Sequence, residues 1–355
     1  MSFQAKFPRD RAELHTCVLM LEDSPYYRYR PEGLTLNDIE NVLDDLLRTG
    51  LGNIVITTNT DIAYDRKLRV NNRYEHMFCT FHATAYVTSA FMRTIIQRED
   101  IPDVGMYFLE NYTNYLKHGK QGNSPVITAD KVTSRDEEGL YCLSMFFVRH
   151  RNLPLTDARM AKDSAEYSLC LRNATQLIFE GLKYNIWMHN PYGLFAKIAY
   201  ENAGQKLLRE HPENTSLGIL SNKYLMCVTG DNEIAEEFGI PETCVVTYGN
   251  WYYDHFFKSR TVRVHLAPRL REYCYWLALG YEADQIAQIM NVARGNLQDY
   301  LRRAFEPFRE AGLAFTQDND IEKLRALTRK YPHEAKQVTF PLFPYPENCP
   351  GELFL

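Results

Sequence analysis

The stretch "EGLYCLSMFFVRH", Glu138 to His150, is a largely apolar run bounded by charge, and it is the strongest strand signal in the chain. A second stretch, "LTLNDIENVLDDLLRTGLGNIVITTN" from Leu34 to Asn59, sets what accompanies it. Thr35 followed by Asp38 has the form of a short capping box. Ile39, Val42, Leu43, Leu46 and Leu47 then recur at helical spacing, Gly50 stops the helix, and "NIVITT" reads as a β-branched strand. Helix, glycine stop and strand, joined to a second apolar strand, predict an α+β fold with a mixed α/β N-terminal region.

Outward from these two anchors, "RYEHMFCTFHATAYVTSAFMRTII" (Arg73 to Ile96) reads as a buried aromatic helix. "YFLENYTNYLKHGKQGNSPVITADKV" gives a helix, a turn and a short strand, and a long helix is expected over Leu153 to Trp187. "TSLGILSNKYLMCVTGDNEIAEEFGI" predicts two short strands around "SNK" and a small helix ending at Phe238-Gly239. "DNDIEKLRALTRKY" is a charged helix, and the prolines of "FPLFPYPENCP" forbid regular helix or central strand in the tail.

The formal net charge of −5 argues against a general nucleic-acid coat, but it leaves room for one basic module. Between Phe257 and Glu310 nine Lys/Arg face six Asp/Glu, the only positive bias we find. The eight cysteines are scattered without CxxC spacing, and the N-terminus has no apolar signal core. No apolar run approaches the ~18 residues of a membrane span. A cytoplasmic protein with free thiols and no membrane contact is expected.

His76, Cys79 and His82 sit three apart, but on one helix they spread over about 120° and have no matching second half, so no metal is expected. GxSxG, Walker A, GxGxxG and HExxH are missing, so no catalytic residue and no cofactor is expected. Trp187, Trp251 and Tyr252 are the aromatic candidates for a ligand pocket.

The basic bias coincides with "LALGYEADQIAQIMNVARGNLQDYLRRAF", Leu277 to Phe305, two short amphipathic helices joined by a tight corner at "NVA". A scaffold helix from Pro268 to Leu279, capped by Gly280, precedes them. Leu297, Tyr300, Leu301 and Ala304 form the buried stripe of the last helix, and Gln298, Asp299, Arg302 and Arg303 point the other way. Gln298, Asp299 and Arg302 are candidates for reading base edges. Arg294, Asn296 and Arg303 flank them and suit phosphates.

From Leu266 to Leu301 the sequence resembles the LuxR/FixJ/NarL-type helix-turn-helix, carried by Leu266, Arg269, Glu272, Leu277, Ala278, Gly280, Ile286, Ala287, Met290, Val292 and Leu297. The resemblance implies a DNA-binding transcriptional regulator, a homodimer on double-stranded DNA, with a small-molecule ligand or protein partner acting on an N-terminal sensor. The alternative is an adaptor whose helix-turn-helix no longer binds DNA, and the third reading is an enzyme in the N-terminal region. The expected layout is a GAF- or autoinducer-binding-like domain over 1–188, a PAS-like or linker segment over 189–257, an all-α helix-turn-helix domain over 258–330 and a proline-rich tail over 331–355.

Overall fold

The computed structural model describes residues 3–8, 10–59, 78–127, 139–150, 184–202, 204–213, 218–250, 253, 266–278, 281–310 and 312–330. Its centre is a seven-stranded sheet in the order β1-β2-β3-β4-β5-β7-β6. The strands are β1 (Phe3–Lys6), β2 (Gly52–Asn59), β3 (Phe78–Val87), β4 (Leu140–Arg149), β5 (Tyr184–His189), β6 (Lys206–His211) and β7 (Lys223–Thr229). All neighbours are antiparallel except β4 and β5, which run parallel in the middle of the sheet.

Helices α1 (Arg11–Glu22) and α2 (Leu36–Thr49) come before β2, and α3 (Ser89–Gln97) and α4 (Val104–Lys117) lie between β3 and β4. The Thr35–Asp38 capping box is formed, and Gly50 closes α2 in the left-handed conformation at φ 72°. Helices α1, α2 and α4 pack against β2 and β4 on one face of the sheet. Gly105 lets α4 approach β4 closely, since a Cβ there would meet the Met145 carbonyl at 2.8 Å and the Phe146 ring at 2.7 Å. Helix α5 (Leu194–Asn202) joins β5 to β6 and packs on β6 and β7, and α6 (Asn232–Phe238) follows β7.

The C-terminal part holds α7 (Pro268–Ala278), α8 (Ala283–Met290), α9 (Leu297–Glu310) and α10 (Ile321–Lys330). Helix α7 lies against α8, α9 and α10. Arg269 ties α7 to the end of α8 by donating to the Met290 carbonyl (2.8 Å) while pairing with buried Glu272 (2.6 Å). Leu297, Leu301 and Ala304 are buried as the periodicity predicts, and Tyr300 is half-buried. The expected end of the scaffold helix at Leu279-Gly280 lies outside the described residues.

Several expectations are corrected. Phe78–Val87 is a strand, not part of a helix, and it is buried along its whole length. Thr80, His82 and Thr84 alternate with Phe81, Ala83 and Ala85 at the period of a strand, the signal that the helix reading passed over. Tyr184–Trp187 belongs to β5 rather than to the end of a long helix. Gly218–Ser221 is a short 3-10 turn, so only one strand, β7, accompanies "SNK".

The expected fold class is overturned as well. The boundary at 188/189 falls inside β5, and β6 and β7 complete the sheet that β1 to β4 begin. Among the described residues, one sheet thus spans both of the expected N-terminal units. The four C-terminal helices pack chiefly on one another, and their buried apolar side chains belong to the same cluster as those of the sheet, which runs from Phe7 to Leu324 of α10.

Candidate active site

The parallel pair at the centre of the sheet does not stay paired. β4 and β5 are in register from Leu140 to Ser144, where Ser144 meets His189, the last residue of β5. β4 continues along β3 to Arg149. Among the described residues, no strand lies on the β5 side of Met145–Arg149, and the sheet opens there. A bulge marks the same point: Thr84 pairs with Ser144 and Ala83 with Phe146, leaving Met145 as the extra residue.

Register brings four polar residues into one row across the vertex of this split. Asn53 on β2 pairs with Thr84 on β3, Thr84 with Ser144 on β4, and Ser144 with His189 on β5. All four are buried. His82, one alternation along β3 from Thr84, is hydrogen-bonded through Nε2 to Ser144 Oγ. Its ring stacks on that of His189 at 6.3 Å. Trp187 stacks on His189 from the same strand at 5.8 Å, and Tyr200 of α5 covers it at 4.6 Å.

Burial governs the ionisation of this cluster. Loss of water lowers the His82 pKa to about 4 and takes His189 well below the usual imidazole value, with His82 adding to the second shift. Both imidazoles are therefore neutral at pH 7, where each ring has one nitrogen that accepts a proton. Burial raises the Tyr200 hydroxyl above its ordinary value, so it stays protonated. A neutral imidazole held by a serine, beside a protonated phenol, can take a proton at one point and give one at another.

The opposite face of the vertex is closed by an ion pair. Asp103, which caps α4 by accepting from the Met106 N–H (2.7 Å), contacts the Lys223 ammonium, and both side chains are inaccessible to solvent. Lys223 Nζ also lies over the rings of Tyr26 (4.8 Å) and Tyr29 (4.6 Å). Asn190, its amide turned to satisfy both ends, accepts from Lys223 Nζ (3.1 Å) and the Val104 N–H (3.3 Å) and donates to the Tyr224 carbonyl (3.2 Å). The N-terminus of α4 is thereby fixed to the end of β5.

Of the pocket residues expected from sequence, Trp187 lies in this cluster, while Trp251 and Tyr252 lie outside the described residues. His76 does too, and Cys79 and His82 alternate to opposite faces of β3, so the three cannot converge as on a helix. His189 stands in the same aromatic segment as Trp187, while Asn53, Thr84, Ser144 and Tyr200 were missed as candidate site residues. Their only local signal is a polar side chain inside an apolar strand or helix.

Gln298, Asp299, Arg302, Arg294, Asn296 and Arg303 are all exposed, around the corner between α8 and α9. The arginines are already paired within the chain. Arg302 bonds to Asp299 at 2.6 Å, Arg303 lies 3.7 Å from the same carboxylate, and Arg294 pairs with Asp284 at 2.9 Å. The hydrogen bond from Arg302 and the charges of Arg302 and Arg303 hold the Asp299 carboxyl below its ordinary value.

No family model and no curated protein matches the sequence. Solved structures do. An aminoglycoside N(6′)-acetyltransferase from Legionella pneumophila is 13% identical and covers 67% of this chain and 96% of its own, with a TM-score of 0.29. A polyamine N-acetyltransferase from Drosophila melanogaster is 7% identical and covers 64% of this chain and 100% of its own, with a TM-score of 0.32. At these values neither activity nor substrate follows for this chain.

Both matched chains are enzymes, and neither is a transcriptional regulator. The expectation of a non-enzymatic, DNA-binding regulator is not what these matches point to: both are named as acetyltransferases. Among the described residues, no helix is long and apolar enough to cross a membrane.

Proposed function

We propose that this chain is an acyl-transfer enzyme working at the vertex between β4 and β5. One observation carries the proposal: the central parallel pair separates beside a buried cluster of His82, Ser144, His189 and Tyr200. The open edge of β4 beyond Ser144 offers main-chain donors and acceptors to an extended, amide-bearing arm, as any unpaired strand edge does. An acyl thioester whose carrier arm contains amides fits such an edge. Its carbonyl would then reach the vertex.

The chemistry follows from the ionisation states. The acceptor's nitrogen or oxygen forms a bond to the acyl carbon, and the carbon–sulfur bond breaks. The proton lost by the acceptor goes to neutral His82, oriented by Ser144. Tyr200 gives its proton to the departing thiolate, and exchange with solvent resets both groups. Both matched proteins are N-acetyltransferases by name, so acetyl thioesters are the first donors to try.

The test is release of free thiol from acetyl-coenzyme A, followed with a thiol reagent over a panel of amine and alcohol acceptors. Acceptor-dependent release that falls at least ~100-fold in Tyr200→Phe is the expected outcome. Release no faster than the uncatalysed rate with every acceptor, from protein shown to be folded, would overturn the assignment.

A further inference from the structure

The row across the vertex holds two buried oxygen atoms that the proposed chemistry does not use. Asn53 donates through Nδ2 to the Tyr86 hydroxyl at 3.0 Å, which fixes its amide and leaves Oδ1 directed elsewhere. Among the described residues, Asn53 Oδ1 and Thr84 Oγ1 are buried and have no hydrogen-bond partner. They are neighbours by register, and Thr84 is in turn the partner of Ser144. Leaving a buried polar atom unsatisfied costs about 1–3 kcal/mol, so two such atoms side by side next to a reactive centre call for a ligand.

The chemistry of the row narrows that ligand. Asn53 Oδ1 can only accept, so the ligand must bring an N–H or O–H. Thr84 can accept a second hydrogen or return one. The row contains asparagine, threonine, serine and histidine but no carboxylate. Of the buried acids among the described residues, Asp38, Asp45 and Asp103 belong to α2 and α4 on the other face of the sheet, Glu13 to α1 on that same face, and Glu272 and Asp318 to the C-terminal helical part. With both histidines neutral, an ammonium ion brought to this row would lose its water and find no counter-charge among the row's own side chains, at a cost of several kcal/mol.

We infer that Asn53 and Thr84 bind the acyl acceptor, and that the acceptor presents an uncharged amine or a hydroxyl rather than an ammonium group. This rests on acyl transfer at the β4–β5 vertex. It assigns the acceptor to the β2–β3 side of Ser144 and the thioester arm to the open edge of β4. The acceptor's donor hydrogens meet Asn53 Oδ1 and Thr84 Oγ1, which places its nucleophilic atom beside Ser144 and His82. The acceptors for which the matched enzymes are named, an aminoglycoside and a polyamine, are of the opposite, cationic kind.

The experiment compares aniline and 1-butanol, both uncharged at pH 7, with spermidine, using acetyl-coenzyme A as donor and thiol release as the kinetic readout. Calorimetry measures binding of aniline alone to the same protein. Thr84→Val, close to isosteric, is the main variant, and Asn53→Leu the second. Faster turnover with aniline or 1-butanol than with spermidine is expected. In Thr84→Val the acceptor KM and the aniline dissociation constant both rise about 3- to 10-fold, with kcat changed less than twofold.

Spermidine as the best acceptor, or an unchanged acceptor KM in a folded Thr84→Val protein, would sink the inference while leaving acyl transfer standing. Thr84-dependent aniline binding without any thiol release would do the reverse, keeping the uncharged-ligand site and removing the reaction. Should Asn53→Leu fail to fold, Thr84→Val decides alone.

Discussion

On the side of the sheet covered by α1, α2 and α4, β3 presents Phe81, Ala83, Ala85 and Val87; on the other side it presents Thr80, His82, Thr84 and Tyr86. Both sets are buried to the same degree. The apolar set continues into Ile54 and Ile56 of β2, and its one charged feature at the vertex, Asp103 with Lys223, is paired and surrounded by Tyr26, Tyr29 and Asn190. The polar set continues into Asn53 and Ser144 and keeps two oxygens without a partner among the described residues. Equal burial with unequal satisfaction separates a face built for stability from a face built for a ligand.

Breaking the ion pair tests the stable face most severely. Lys223→Met leaves Asp103 charged and buried at the start of α4, and truncating one partner of such a pair costs about 3–5 kcal/mol. Urea unfolding of Lys223→Met measures it. Adding Asp103→Leu in the same chain removes the stranded charge and recovers most of the loss. If the single and double variants were equally unstable, the pair would not be what fixes α4 to the end of β5.

On the reactive face the corresponding change alters chemistry rather than stability. Tyr200→Phe keeps the ring on His189 and removes only the proton donor. Thiol release falls about 10²- to 10⁴-fold while the urea midpoint stays near that of the parent. A large stability loss with unchanged turnover would move Tyr200 from the site to the core.

Acid separates the faces next. The folded His82 pKa of about 4 lies below the unfolded imidazole value of 6.5, so between these two the unfolded chain binds the proton that the folded chain refuses. Stability is complete above the unfolded pKa and drains away as pH falls from 6.5 toward 4, by on the order of 3 kcal/mol for His82 alone. His189 acts in the same direction. On the helix side, Asp38 and Glu40 have lowered pKa values, and their contribution disappears only as pH falls below the ordinary carboxylate range. Thermal melts from pH 8 to pH 4 should therefore show a decline starting near 6.5 that is flattened in His82→Gln.

What could be read from the sequence divides along the same line. The capping box at Thr35–Asp38, the stop at Gly50, the run of β4 and the buried stripe Leu297, Leu301 and Ala304 are local signals, each complete within a few residues. β3 carries an alternation of Thr80, His82 and Thr84 with Phe81, Ala83 and Ala85 that marks a strand, but its aromatic residues also suit a buried helix, and β5 is only six residues long. The polar row was illegible for another reason. Asn53, Thr84, Ser144 and His189 come from four strands, and only the register across the sheet makes them neighbours. The exposed face of α9 was legible as geometry, with Gln298 and Arg302 outward, but the Asp299 pairing that occupies its arginines was not.

The smallest effect gives the sharpest contrast, because two reciprocal substitutions can be made three residues apart on one strand. Val87→Thr puts a hydroxyl of matched volume into the apolar face, where Val87 is completely buried. With no partner for that hydroxyl, stability falls by about 1–3 kcal/mol. Thr84→Val makes the opposite exchange on the polar face, removing an oxygen that has no partner among the described residues. Ordinary core logic predicts a loss for any such change. Here the desolvation cost disappears with the oxygen, and Thr84→Val should melt at or above the parent temperature, by up to roughly 1 kcal/mol of added stability. The ligand reverses the order. At saturating aniline the parent gains stability by binding and Thr84→Val gains less, so the two melting curves approach or cross. A Thr84→Val protein that is less stable than the parent without ligand would show Thr84 to be a structural residue, and the two faces of the sheet would no longer differ in kind.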